Sequence, residues 1–419
     1  MVPMKHLARF INGAAFKPSD WGDEGLPILR IAQLTGKDFD NHYAGDFDDR
    51  YFIQNGDLLF SWSATLDSFI WSRGDALLNQ HIFKVEPKPG VSKRFLFYSI
   101  KHYSSIWADI DAHGSTMKHI KKESLSNKVF YPDLDTQEAI ADFLDRETTS
   151  IDQLIANKQR LVELLGKKIS GTIDDAITFG LDSSLPTRKT QIAWLPEIPS
   201  SWELVRAKYL YREAKRPPLE DDKIITAFRD GEVTLRENRR TEGFTFAIKE
   251  VGYQHIKEGD LVIHTMDAFA GAIGVSDSDG KSTGEYAVCE ARSDRVNNHY
   301  YAHLLRCMAR RNYIFVLCPS VRERAPRFRF VRFAPVMLPV PPRSEQDAIV
   351  EHIHQSITKI QSLKSKTEES IDRLREMRST LITAAVTGQI DVATWSKGGE
   401  TDRRLDQIEE ELTQKEATA

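Results

Sequence analysis

A chain of 419 residues has room for about two or three domains. Its 41% apolar and 28% charged residues are globular proportions, which exclude a disordered or fibrous chain, and its net charge of −4 argues against coating nucleic acid by bulk charge. No stretch approaches the ~20 apolar residues of a membrane span, and Met1 to Phe10 lacks the apolar core of a signal peptide, so a cytoplasmic chain is expected. The three cysteines, Cys289, Cys307 and Cys318, show neither C-x-x-C spacing nor clustered histidines, so buried free thiols are expected rather than a disulfide or a zinc site.

Residues 1–134 read as a first β-rich domain. Gln54-Asn55-Gly56-Asp57 is a turn that opens onto the buried strand Leu58-Leu59-Phe60, and His81 to Val85 is a further strand. An aromatic helical stretch, Phe95 to His102, follows. The basic run Gly114-Ser115-Thr116-Met117-Lys118-His119-Ile120-Lys121-Lys122 comes next. Its Ser115, Thr116, Lys118, Lys121 and Lys122 are candidate DNA contacts, although a solvated turn accounts for them equally well.

A helical region is expected over 135–181. Apolar residues recur at Ile140, Leu144, Ile151, Leu154, Leu161, Leu165, Ile169, Ile173 and Ile177, broken at two seam positions by Glu147 and Lys158. Steps of three and four predict an amphipathic helix with a narrow, coiled-coil-like seam, ~60 Å long for some 40 residues. Asp135-x-x-Glu138 behind the extended Tyr131-Pro132-Asp133 resembles a capping box, and Gly180 marks the far end. Residues 182–201, rich in Ser, Pro and Thr, read as a linker.

The chain then repeats itself. Pro132 to Asp182 aligns with Pro341 to Asp391 without a gap at an offset of 209 residues, Gln137 falling on Gln346 and Ile173 on Ile382. A second β-rich domain is expected over 202–343, with Lys257-Glu258-Gly259-Asp260 opening onto Leu261-Val262-Ile263, a strand at Tyr286 to Glu290 and an aromatic helix from Tyr300. A second helical region spans 344–395, with Ser344-x-x-Asp347 as its capping box and a seam through Ile349, Ile353, Ile357, Ile360, Leu363, Ile371, Leu374, Met377, Leu381 and Ala385; it ends near Gly388. Residues 396–419 read as a charged, solvated tail. Two copies indicate an internal pseudo-twofold rather than a solenoid. Core packing of helix on helix is sufficient reason for the seam. Packed antiparallel, the two helices would also hold the β-rich domains apart by a fixed length.

Catalytic signals are near misses. Gly280-Lys281-Ser282 lacks the glycine a phosphate loop needs five residues earlier, where Val275 stands. Glu213-Ala214-Lys215 is a nuclease-like triplet that chance supplies easily, and neither an amino-methyltransferase motif nor a glycine-rich cofactor loop is present. No catalytic residue, metal ligand or cofactor is expected in this chain. Binding signals are stronger. From Arg306 to Arg332 there are eight arginines against one acid, Glu323, a local +7. Arg327-Phe328-Arg329-Phe330 alternates as a strand would, with arginines on one face and phenylalanines on the other. With Arg322 and Arg324 these arginines are candidate DNA contacts, since arginine forks onto guanine or clamps phosphate.

Several motifs carry a resemblance. Pro341-Pro342-Arg343-Ser344-Glu345-Gln346, its weaker first copy Pro132 to Gln137, Ile198-Pro199-Ser200-Ser201-Trp202, Gly114-Ser115-Thr116 and Ala385-Val386-Thr387-Gly388 resemble the specificity subunits of type I restriction-modification systems. The first copy departs from the family pattern, with neither the second proline nor the glutamate, and no Ile-Pro-x-x-Trp stands before the first domain. The resemblance implies an α+β architecture in which two β-rich target-recognition domains alternate with two long helices forming an antiparallel coiled coil. It implies a non-catalytic subunit that reads a bipartite double-stranded DNA target and docks two modification (methyltransferase) subunits and restriction subunits. S-adenosylmethionine, ATP and Mg2+ would belong to those partners. A coiled-coil scaffold with two protein-binding β domains is the alternative that the same repeat allows.

Overall fold

Two apolar runs, Leu58-Leu59-Phe60 and Leu261-Val262-Ile263, occupy the same place in two copies of one sheet and are buried on both faces. The computed structural model describes residues 1–111, 119–239, 252–318 and 327–392. These fall into two units: residues 1–159 with 369–419, and residues 160–368. The two long helices, Leu134–Phe179 and Arg343–Val386, each contribute to both units.

In the first unit a four-stranded antiparallel sheet runs in the order Ala8–Asn12, Ile82–Pro87, Leu58–Ser61, Asp67–Ile70. Side chains alternate across a strand, so Leu58 and Phe60 face Leu96, Ile100 and Trp107 of the helix Lys93–Asp111. Leu59, on the other face, packs with Trp71 and with Leu29, Ala76 and Leu78 of a smaller mixed sheet. A strand covered on both faces reads as an unbroken apolar run, which is what the sequence displays.

The second unit repeats this plan with Tyr211–Glu213, Tyr286–Ala291, Leu261–His264 and Ile273–Val275. Leu261 and Ile263 face Tyr301, Leu304 and Leu305 of the helix Asn298–Arg310, and Val262 packs with Ile225, Val233, Ile256 and Val288 on the opposite face. A short pair joins the ends of each copy: Val2–Pro3 with Lys128–Val129 in the first, Glu203–Arg206 with Met337–Val340 in the second. The stretch that reads as a linker contains an antiparallel hairpin, Thr187–Ile192 with Leu195–Pro199, whose Trp194, Leu195 and Ile198 enter the core of the second unit.

Within each unit the start of one long helix lies against the end of the other, so the pair is antiparallel. In the first unit Ile140, Phe143, Leu144 and Ile151 meet Leu381, Ile382, Ala385 and Val386, and Arg378 pairs with Asp152 at 2.9 and 3.1 Å. In the second, Ile173, Ala176 and Ile177 share a core with Ile349 and Ile353. The seam is thinner than its periodicity suggests: Leu161 is 45% and Leu363 54% exposed, because two strands of coil cover only part of each seam side chain.

Both helices end as expected, on glycines with positive φ, +77° at Gly180 and +72° at Gly388. Their starts differ from the expected capping boxes. The first helix begins at Leu134, which makes Asp133 rather than Asp135 the cap; its carboxylate accepts the Thr136 N–H at 2.9 Å, and these bonds hold it below the ordinary carboxylate range. Glu138 turns to Arg94 at 2.7 Å, and Asp347 to Arg343 and Asn297 at 2.8 and 2.6 Å.

The repeated glutamine has a repeated task. Gln137 is fully buried, accepts the Ser92 N–H at 2.9 Å and donates to Gly90 O and Pro132 O at 3.3 and 2.9 Å. Gln346, also fully buried, accepts the Asn297 N–H and donates to Arg295 O and Pro341 O, all at 2.9 Å. Each fastens the start of a long helix to the entry of the short helix in its own unit. In the second unit Trp202 Nε1 donates to Glu345 Oε2 at 3.1 Å, joining the Ile-Pro-x-x-Trp motif to the glutamate beside that glutamine. At the equivalent position of the first copy Thr136 donates its hydroxyl to Asp133 at 3.0 Å instead.

Candidate nucleic-acid interface

At one end of the second unit's central sheet, where His264 and Tyr286 are register partners, lies a cleft of about 590 Å³. Its lining comes from five separate segments and includes Lys215, Arg216, Tyr253, Gln254, Tyr286, Arg329 and Phe330. Cations and aromatic faces together suit a polyanion that carries rings.

The cations are not equivalent. Arg216 is bound to Asp260 at 2.5 and 3.2 Å and to Glu290 at 3.3 Å, and Arg212 forks onto Glu290 at 3.1 and 2.8 Å. These hydrogen bonds, Arg212 first, hold Glu290 below the ordinary carboxylate range. Arg216 is therefore part of the wall. Asp260 also accepts the Lys257 N–H at 2.8 Å and closes the Gly259 turn, as Asp57 accepts the Gln54 N–H at 2.9 Å at Gly56. Lys215 pairs with Glu213 at 3.1 Å and is largely exposed. Arg329 is exposed, and among the described residues no acidic side chain pairs with it. Lys215 and Arg216, by contrast, each have a carboxylate partner.

Arg327 and Arg329 do not lie on a strand. They belong to an extended segment that enters the short helix Phe330–Phe333, with Arg329 at its N-cap. Proline at position 326 and the helix directly after Arg329 leave too little length for a strand to pair. The expected facing holds for Phe328, which is buried with its N–H bonded to Thr265 O at 2.9 Å while both arginines are exposed, but Phe330 is half-buried and lines the cleft beside Arg329. Arg327 makes an ion pair of 3.3 Å with Glu285.

In the first unit Lys121 and Lys122 occupy the matching place, ahead of the closing strand. Lys121 precedes the 3-10 turn Lys122–Ser126, and both lysines are exposed. The segment is fastened by Ile120 N–H to Trp62 O at 2.9 Å and by Lys121 N–H to the Asp111 carboxylate at 3.0 Å. Ser115, Thr116, Lys118, Arg322 and Arg324 lie outside the described residues.

The run of eight arginines is not one patch. Arg306 packs its guanidinium over Gly231 and is half-buried, which lowers its pKa through desolvation. Arg310 pairs with Asp174, and Arg311 donates to Trp194 O at 2.8 Å. These three hold the unit together, leaving the outward positions near the cleft as the candidates. Gly280–Ser282 is a strand paired with Gln254–Ile256 rather than a phosphate loop. Burial pushes the Cys289 thiol well up and the Cys307 thiol up to about 12, so neither is a ready nucleophile. Among the described residues no group of three His, Cys, Asp or Glu side chains is arranged to hold a metal, and no helix is long and apolar enough to cross a membrane.

Reading the sequence alone missed Tyr253, Gln254, Tyr286 and Phe330 as cleft residues, and met Lys215 only within a nuclease-like triplet. No local motif could have found them, because the sheet brings together positions more than a hundred residues apart.

Residues 1–164 match the family model of the type I restriction modification DNA specificity domain. The chain is 23% identical over 423 residues to the type I restriction enzyme EcoBI specificity subunit of Escherichia coli, covering 94% of this chain and 86% of that protein. It is 27% identical over 158 residues to the MjaVIII specificity subunit of Methanocaldococcus jannaschii, covering 37% and 35% of the two chains. In fold it is similar to the HsdS subunit from Thermoanaerobacter tengcongensis, with a TM-score of 0.52 at 13% identity over 93% of this chain and 96% of that one. A chain solved in work on complex assembly and conformational transition of the type I R-M system gives 0.58 at 14% identity over 92% and 98%. With a match to the DNA specificity domain in its first 164 residues, and the sheet, short helix and glutamine-fastened long helix built twice, the chain is similar to the specificity subunits of type I restriction-modification systems.

Proposed function

We propose that this chain is the non-catalytic, sequence-reading subunit of a type I adenine-specific methyltransferase and restriction complex. Each β-rich domain, 1–134 and 202–343, reads one half of a bipartite duplex target, and the helical regions 135–181 and 344–395 set the spacer and dock two modification subunits and the restriction subunits. S-adenosylmethionine, ATP and Mg2+ act on those partners, in the cytoplasm. One observation carries the reading: the same sheet-and-helix skeleton, locked by Gln137 in one copy and Gln346 in the other, bears different surfaces at its variable end. A conserved frame with divergent ends suits a protein that holds partners constantly and varies what it reads.

In the second unit Arg329 and Arg327, with Lys215, face the DNA, and Arg322 and Arg324 join them. In the first unit Lys121 and Lys122 do so, joined by Ser115, Thr116 and Lys118. Phosphate contacts set register, and side chains in the major groove read base edges. The test is a titration of duplex DNA with the assembled methyltransferase at several salt concentrations. Affinity should fall steeply with salt through counterion release. Salt-independent binding, or none, would favour a protein-docking scaffold instead.

A further inference from the structure

Glu285 stands where a DNA-reading surface would be expected to avoid an acid. Its chain neighbours Gly284 and Tyr286 line the cleft, and Arg329 of the cleft is two residues from its partner Arg327. Glu285 Oε1 lies 3.3 Å from the Arg327 guanidinium, and Oε2 accepts the Thr265 hydroxyl at 3.3 Å. The Thr265 N–H donates to Glu285 O and Thr265 O accepts the Phe328 N–H, both at 2.9 Å, which ties the carboxylate to the segment carrying both arginines. The pair is accessible, with 45% of the Arg327 side chain and 33% of the Glu285 side chain exposed.

From this geometry we infer that Glu285 is a specificity-determining residue that acts by holding Arg327 back from indiscriminate phosphate contact. The inference rests on the DNA-reading function proposed above. Non-specific binding is carried by arginine and lysine on phosphates, so an arginine bound to a carboxylate contributes less of it. Any duplex drawn into the cleft also brings phosphates toward that carboxylate, a repulsion every sequence meets. Only a sequence that offers the oxygen a donor, such as the exocyclic amine of cytosine, or gives Arg327 a guanine in exchange, recovers the loss. Discrimination thus comes partly from a built-in unfavourable element.

The test uses the full chain assembled with its modification subunits, the duplex carrying its methylated motif, and a duplex of equal length with the second half-site scrambled. Glu285→Gln keeps the shape and the bond to Thr265 while removing the charge; Glu285→Ala removes both and guards against an effect of the amide. Both variants should tighten binding to the scrambled duplex by about two- to fivefold, the range that a pair this exposed supplies, and lower the ratio of cognate to scrambled affinity. Methylation maps of cells carrying either variant should show the second half-site relaxed and the first intact. If Arg329→Ala weakens binding while the ratio is unchanged in both Glu285 variants, the cleft reads DNA and the role of Glu285 is refuted. If Arg329→Ala also leaves binding unchanged, the cleft is not the reading surface and the inference falls with it.

Discussion

Gln137 and Gln346 show how much a single repeated residue can fix. Each uses its whole amide inside the protein, accepting one backbone N–H and donating to two carbonyls. Alanine at either position strands those groups in a buried site, a loss of ~1–3 kcal/mol. Urea unfolding of the Gln346→Ala chain should show it, and a change below ~0.5 kcal/mol would contradict the assignment. Gly180 is similarly constrained: φ is +77°, and an added Cβ would stand 2.8 Å from Glu345 Oε1. Gly180→Ala should cost ~1–2 kcal/mol from the left-handed backbone alone, read as a lower thermal midpoint. At the proposed interface, Arg329→Ala should weaken DNA binding without altering the first half-site. It should lower the salt slope by about one if the contact is to phosphate, or cost ~1–3 kcal/mol of discrimination if it is to a base edge.

At the level of elements, the long helices and the buried central strands were legible because their side chains obey fixed periods, and the glycine ends because only glycine takes that backbone cheaply. Subtler boundaries were not. The first helix starts at Leu134, two residues before a cap at Asp135 would start it, because Asp133 is the better-placed cap, and a hairpin hides in 187–199 because Ser, Pro and Thr read as a linker. Arg327 to Phe330 alternates like a strand, yet Phe330 begins a helix and lines the cleft beside Arg329, so the facing of Phe328 was legible and the conformation was not. Apolar spacing also overstated the seam. Ile173 is 6% exposed and Leu363 54%. Ile173→Ala should therefore destabilise by ~2–4 kcal/mol and Leu363→Ala by less than ~1 kcal/mol in the same denaturation assay; equal costs would contradict this account of the seam.

For the whole molecule the fixed offset between copies was the clearest signal, since an internal repeat dictates architecture before any element is placed. The cleft proposed to read DNA in the second unit was the least legible part. Its residues lie between positions 213 and 330, and several of the basic positions picked out by charge alone, Arg306, Arg310 and Arg311, proved to be structural. Charge counted along the chain does not distinguish an arginine that holds a carbonyl from one that meets a ligand; partners in space do. The proposal that this chain decides which DNA its partners modify is best checked by mapping adenine methylation genome-wide in cells carrying the chain with its modification subunit, against cells lacking the chain alone. A bipartite methylated motif that disappears with the chain is the predicted result. Unchanged methylation, with the modification subunit shown to be active, would contradict it.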